Sequence, residues 1–247
     1  VWGNSFGSLD PRLDLQNAPE EIRQLWPSDD YGVMVMEWGE YPHERKEIFD
    51  FIRSEKIAGF VSVAGDRHAF YAGLMSAELP PKKFSPIGAE FITGSISAPA
   101  LVEAMEYNLP KDDPLRPALL VDDPSGSRPK PAINLSLMHG IRSAMVFQKT
   151  GILQEALAQR NPDLAPHLWF TDTDGHGYAV VVAGSTEMKV EFVCIPRPLE
   201  RSDGADGGPL QYRVAHHFKM WKAGETPELH QTIIEGEIPP GASRTSS

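Results

Sequence analysis

Four consecutive residues, Gly65-Asp66-Arg67-His68, combine a carboxylate, a guanidinium and an imidazole directly after the short apolar run Phe60 to Ala64. The run is brief, apolar and partly β-branched, so it reads as a buried strand that stops at the glycine. In sheets of the α/β type, chemistry gathers at the C-terminal mouths of strands. Asp66 and His68 are two apart and on an extended backbone would share a side. A carboxylate and an imidazole together suit a hard or borderline cation, and Arg67 between them suits an anionic oxygen. The plainer alternative is a turn in which Asp66 bonds its own backbone.

Other chemistry-bearing groups are scattered. Asp172, Asp174 and His176 crowd one polar turn, but Asp172-Thr173-Asp174-Gly175 lacks the downstream Glu of a calcium loop and reads as a hairpin turn. His216 and His217 are adjacent in an alternating stretch and so would face opposite ways, which disfavours a joint metal role. Trp38 and Tyr41 precede a helix and would either wall a cleft or pack in the core. The single cysteine, Cys194, lies in the apolar run Val190 to Ile195 and reads as a small buried hydrophobe. One cysteine excludes an intrachain disulfide. Nucleotide fingerprints and the serine nucleophile elbow are absent.

The elements that must position these groups begin with a helix from Tyr41 to Arg53. Pro42 suits its first position, and Ile48, Phe51 and Ile52 form an apolar stripe with Phe49 beside it. A strand over Ile57 to Ala64 follows. Ala69 to Met75 is either extended or helical. Glu90 to Ser97 reads as a strand and Pro99 to Tyr107 as a helix. Residues 111–131 are rich in Pro, Asp, Ser and Gly and read as an exposed excursion. Leu135 to Lys149 and Ile152 to Gln159 are helical by pattern, separated at Gly151. Strands are expected over Leu168 to Thr171, Gly177 to Ala183, Val190 to Ile195 and Leu210 to Trp221, and a flexible tail over 236–247.

The chain has 247 residues, 41% of them hydrophobic, a net charge of −11 and a pI near 5.2. That core is substantial, and the acidity argues against a nucleic-acid backbone as partner. Acidity favours cations, and any phosphate would need local arginine or bound metal. No apolar run approaches the length of a transmembrane span. The opening Val1-Trp2-Gly3-Asn4-Ser5 reads as though it starts inside a folded domain, which suggests a processed or split product.

Five segments in order carry a family resemblance: Trp2-Gly3-Asn4-Ser5, Met36 to Pro42 leading into a helix, Val63 to His68, Glu90 to Ser97, and Gly175-His176-Gly177-Tyr178 before a strand. This order resembles the C-terminal half of the PhoD-like alkaline phosphatases, a branch of the calcineurin-like metallophosphoesterases. The resemblance implies a four-layer αββα sandwich, of which residues 1–247 supply the C-terminal part. It implies phosphomonoester or phosphodiester hydrolysis, lipid-like esters included, by a metal-bound hydroxide, with iron and calcium or, alternatively, zinc or manganese. By motif, Asn4, Asp66 and His68 correspond to metal ligands and Arg67 and His68 to catalytic groups. Arg67, Tyr41 and His176 correspond to substrate-facing residues. The motifs that would supply the remaining ligands are absent here, so an N-terminal half or second chain is expected to complete the site as a heterodimer. Family resemblance further implies a periplasmic or secreted location, with the cytoplasm left open. A non-catalytic or regulatory subunit, or a hydrolase of phosphotriesters, are the alternatives.

Overall fold

In a computed structural model, residues 41–78, 83–114, 116–123, 125, 128–201, 203–204 and 208–244 are described. Helix α1 (Pro42–Ser54) starts on its proline, where the missing N–H costs nothing, and carries Glu44 in its first turn and Arg53 in its last. Its buried face is Phe49 and Ile52, which pack with Ile48 against Phe60, Met75 and Ile87. Phe51, expected in that stripe, points to solvent instead. Phe49 and Ile52 are one turn apart on the helix, and Phe51 sits off that line.

Strands β1 (Phe60–Ala64), β2 (Phe70–Met75), β3 (Gly88–Ile92) and β6 (Leu168–Asp172) form one sheet in the order β1-β3-β2-β6. β1 and β3 are parallel; β2 runs antiparallel to both β3 and β6. The expected burial of β1 is only partial, with Val63 exposed, because β1 lies at the edge of this sheet. The undecided stretch after it is β2, a central strand buried at every position. A second sheet, in the order β10-β9-β8-β7, is an antiparallel run of β7 (His176–Ala183), β8 (Glu187–Ile195), β9 (Tyr212–Lys219) and β10 (His230–Gly236).

The two sheets bury a shared aromatic core. Phe70, Phe91 and Phe170 of the first meet Phe192, Tyr212 and Phe218 of the second, with Phe91 and Phe218 stacked at 5.9 Å. Alternate residues of β2 serve its two faces: Phe70, Ala72 and Leu74 point to the second sheet, while Tyr71 points to a helical layer. That layer contains α2 (Leu101–Asn108) and α4 (Ile133–His139), through Leu101, Val102, Ile133 and Leu137. It continues into α5 (Ile141–Thr150) and α6 (Leu153–Leu157). Gly151 divides α5 from α6 with φ 68°, and Gly140, φ 104°, makes a further break inside the helix expected over Leu135 to Lys149. Mixed α and β content in helix, sheet and sheet layers is thus observed.

The region 111–131 holds α3 (Arg116–Leu119) and the two-residue pair β4 (Leu120–Val121) and β5 (Lys130–Pro131). Arg116 and Leu120 are buried, and Arg116 donates to both carboxylate oxygens of Asp122 at 2.7 and 2.6 Å, so part of the excursion is packed. Within the expected tail, Ala242 is fully buried and Ser243 bridges to Phe170 at the β6 edge. Thr171 N–H donates to Ala242 C=O at 2.8 Å and Arg244 N–H to Trp169 C=O at 3.2 Å, covering a strand edge that would otherwise present open backbone groups. The Arg244 side chain donates to the carbonyls of Ala165 and Leu164, each at 3.0 Å. No described helix is long and apolar enough to cross a membrane.

Candidate functional site

The strand directions bring three sequence-distant loops to one mouth. The C-terminal ends of β1 and β3 lie together, beside the start of β2 and the end of β6. Thr93 N–H donates to Ala64 C=O at 2.9 Å, Leu101 N–H to His68 C=O at 3.0 Å, and Val102 N–H to Thr173 C=O at 3.0 Å. Gly177 N–H donates to Ser95 C=O at 3.0 Å. Segment 93–102 therefore ties the Gly65 to His68 loop to the Asp172 to His176 turn. The approach is close enough that a Cβ on Gly94 would stand 2.5 Å from Gly175 C=O.

Asp66 and His68 have φ of 72° and 53°, left-handed rather than extended, so the expected geometry of two neighbours on an extended strand does not hold. Asp66 is exposed. His68 is half-buried, with Nδ1 2.6 Å from the Pro99 carbonyl. A carbonyl only accepts, so Nδ1 donates and Nε2 is the ring nitrogen left to face another partner. Metal-binding histidines are held this way, with the second ring nitrogen donating to a backbone carbonyl. The donor kinds, carboxylate oxygen and imidazole nitrogen, fit a borderline or hard cation. Among the described residues, no three His, Cys, Asp or Glu side chains converge as a metal-binding set.

Arg67 is buried, with its guanidinium carbon 6.0 Å from the centre of the Tyr71 ring, so its charge is directed inward. Tyr41 is half-exposed just ahead of α1. Asn4 and Trp38 lie outside the described residues.

Against the Asp172 to His176 turn lies a cleft of about 460 Å³ lined by Asp172, Asp174, His176, Arg128, Arg197 and Tyr212 among others. The Asp172 to Gly175 turn expected in a hairpin instead carries the chain from one sheet to the other, since β6 and β7 belong to different sheets. Asp172 sits between the sheets and accepts from Tyr212 O–H at 2.7 Å and Asp174 N–H at 3.0 Å. Buried Asn134 of α4 accepts from both the N–H (3.1 Å) and O–H (2.8 Å) of Thr173. Burial pushes the Asp172 carboxyl upward against these donors, and it pushes Asp174 up to about 6 even though Arg128 is paired with it.

Glu103, in the first turn of α2, is the hub of the polar network. Its carboxylate accepts from Ala100 N–H at 2.7 Å and lies 3.3 Å from Arg197, 3.4 Å from His176 Nε2 and 3.6 Å from Arg128. Arg197 also donates to Ser97 C=O at 2.8 Å, which pins the segment after β8 to the 93–102 segment. Burial lowers the pKa of His176 more than Glu103 raises it, so a neutral imidazole is favoured there. His176 thus lies against the 93–102 segment, facing Ser95 and Glu103. Glu103, Arg128, Arg197 and Tyr212 went unread. Glu103 stands at the third helical position, where a capping glutamate is usual, but alanine replaces the Ser or Thr that completes that signature.

Residues 14–125 match the model of a family described as "PhoD-like phosphatase". The family match covers three of the five segments that carry the resemblance, Met36 to Pro42, Val63 to His68 and Glu90 to Ser97. No curated protein matches the chain. A solved structure described as "Structure of PhoD" aligns at 16% identity and a TM-score of 0.44, covering 83% of this chain and 28% of that one. The chain thus spans under a third of the length of that solved protein. Over residues 14–125, the chain is similar to the PhoD-like phosphatases.

Proposed function

We propose that this chain supplies one wall of a metal-dependent phosphoester hydrolase, with Asp66 and His68 facing the metal. The observation that carries this reading is the fixing of His68 Nδ1 by the Pro99 carbonyl, within the stretch that matches the phosphatase family. That contact leaves Nε2 as the ring nitrogen available to a metal, two residues along the chain from exposed Asp66. Asn4 completes the chain's own donor set in this reading. Iron and calcium are the ions proposed, with zinc or manganese as substitutes. When bound, such ions supply Lewis acidity, lowering the pKa of a coordinated water and taking up charge on phosphoryl oxygens.

The chain's own groups do the positioning. The Pro99 carbonyl fixes the His68 tautomer and ring direction. Buried Arg67 adds a fixed positive charge behind the loop, where it offsets the acidic surroundings of an incoming phosphate. His176, kept neutral by burial and with its ring nitrogens facing Ser95 and Glu103, can accept and return a proton on the cleft side of the turn. Tyr41 is assigned to the substrate side. The substrates proposed are phosphomonoesters and phosphodiesters. A further segment, an N-terminal half or a second chain, supplies the other metal ligands and completes the four-layer sandwich. A periplasmic or secreted setting follows from the family resemblance.

The test is hydrolysis of aryl phosphate mono- and diesters by the purified protein with that segment present, before and after chelation and metal return. Asp66→Ala and His68→Ala are expected to lose metal and turnover together. Turnover that survives the chelator, or both substitutions, refutes the reading.

A further inference from the structure

The alternation of β9 separates its two histidines completely. His216 points inward, its ring centre 5.0 Å from that of Phe192 and 5.7 Å from that of Phe91, and its Nε2 lies 3.2 Å from Gln231 Oε1. His217 therefore points to the opposite face, away from the shared core. As expected from their spacing, the two cannot share a ligand.

The register supplies His217 with a different partner. Directly across the β9–β10 ladder, His217 is opposed by His230, which is exposed at the start of the strand. Directly opposed residues hold their Cβ atoms roughly 4.5–5.5 Å apart on one face. Two imidazoles at that spacing can converge on one ion at nitrogen–metal distances of about 2.0–2.1 Å. Both line an open depression of about 890 Å³, together with Glu225, Glu228 and Lys219.

The surrounding charge favours a cation. Glu187 of β8 places Oε2 3.1 Å from His217 Nε2, so a carboxylate already stands beside the imidazole that would hold the ion. Lys189, opposite His217 on its other side, turns to Glu191 at 3.1 Å. Lys219 remains as an opposing charge, against the three carboxylates of Glu187, Glu225 and Glu228. The position is remote from the mouth: five residues of extended strand from Tyr212 to His217 span about 17 Å.

We propose that His217 and His230 form a surface site for a borderline transition ion such as zinc, bidentate from the protein, with water filling the remaining positions. The site clamps the edge strand β10 to β9 and is independent of the phosphoesterase reading.

Zinc titration followed by calorimetry, in an Asp66→Asn/His68→Gln background, tests it. One zinc is expected to bind in that background, weakened at least tenfold by His217→Gln or His230→Gln and lost in the double variant. Because both side chains lie on the outer face, far-ultraviolet dichroism should be unchanged. In the unsubstituted protein, copper added in trace amounts should broaden the ring resonances of His217 and His230 by nuclear magnetic resonance. Zinc affinity unchanged in the double variant, absence of zinc binding in the Asp66→Asn/His68→Gln background, or broadening confined to other histidines overturns the proposal.

Discussion

Replacing Tyr212 by Phe removes one oxygen from the junction of the two sheets and leaves the ring packing against Phe70 and Phe170 in place. The lost group is the hydroxyl that donates to Asp172 at 2.7 Å, where both side chains are buried. Hydrogen bonds to charged groups contribute about 1.5–3 kcal/mol, and a buried carboxylate deprived of a donor retains its desolvation cost. A loss of about 2 kcal/mol corresponds to a melting-point drop of about 4–8 °C for a chain of this size. The pH dependence has a definite sign. Burial raises the Asp172 pKa above its unfolded value, so the native state binds more protons and stability falls as pH rises through that window. Losing the Tyr212 donor raises the folded pKa further. The deficit of the variant therefore shrinks as pH falls through that window, where Asp172 becomes protonated with or without the hydroxyl. Calorimetric melts at pH 7 and pH 4 check this. Equal melting points at pH 7, or a deficit that widens in acid, would refute the assignment of Tyr212 as a donor to a charged Asp172.

Two further outcomes concern the same interior. His139 and His216 are buried with pKa values lowered to about 4, so between pH 6.5 and 4 the unfolded chain binds more protons than the native one. Each histidine then withdraws stability as pH falls, approaching about 3 kcal/mol apiece below pH 4, and His216→Leu should show a shallower decline in urea midpoints over that range. Glu103→Gln removes the charge shared by Arg128, Arg197 and His176 but keeps an acceptor for Ala100 N–H. It should cost about 1–3 kcal/mol and expose the 93–102 segment to faster amide exchange; exchange unchanged at Ser97 to Leu101 would remove Glu103 as the hub.

Where the sequence was legible, a local rule acted alone. Pro42 fixed the start of α1, and Gly151 marked a helix end. Cys194 lies buried, its thiol pushed upward by desolvation and its S–H pointing at Gln211 Oε1 at 3.2 Å. Where pairing decided, the residues alone were insufficient. Phe70 to Met75 has no period because both faces are covered, and Asp172-Thr173-Asp174-Gly175 has hairpin composition although its flanking strands enter different sheets. Strand β10 was unread because its polar residues gave no clean alternation. The mouth shows the same division. Gly65-Asp66-Arg67-His68 was visible as a chemical string, but the positive φ at Asp66 and His68 and the inward turn of Arg67 depend on contacts with Pro99 and Tyr71. Glu103 joins groups up to 94 positions distant, a convergence that no spacing rule reports.

The proposed hydrolysis depends most heavily on the fixed His68 imidazole and the Asp66 carboxylate as metal-facing groups. The most direct measurement is metal content and aryl phosphate turnover, taken together, for the purified protein and for Asp66→Ala and His68→Ala. Since outer partners of metal ligands alone cost about 10–100-fold, direct ligands should cost at least about 100-fold in affinity or turnover. Parallel loss of bound metal and of hydrolysis in both variants is the predicted result. Full metal content with full turnover in either variant would contradict it.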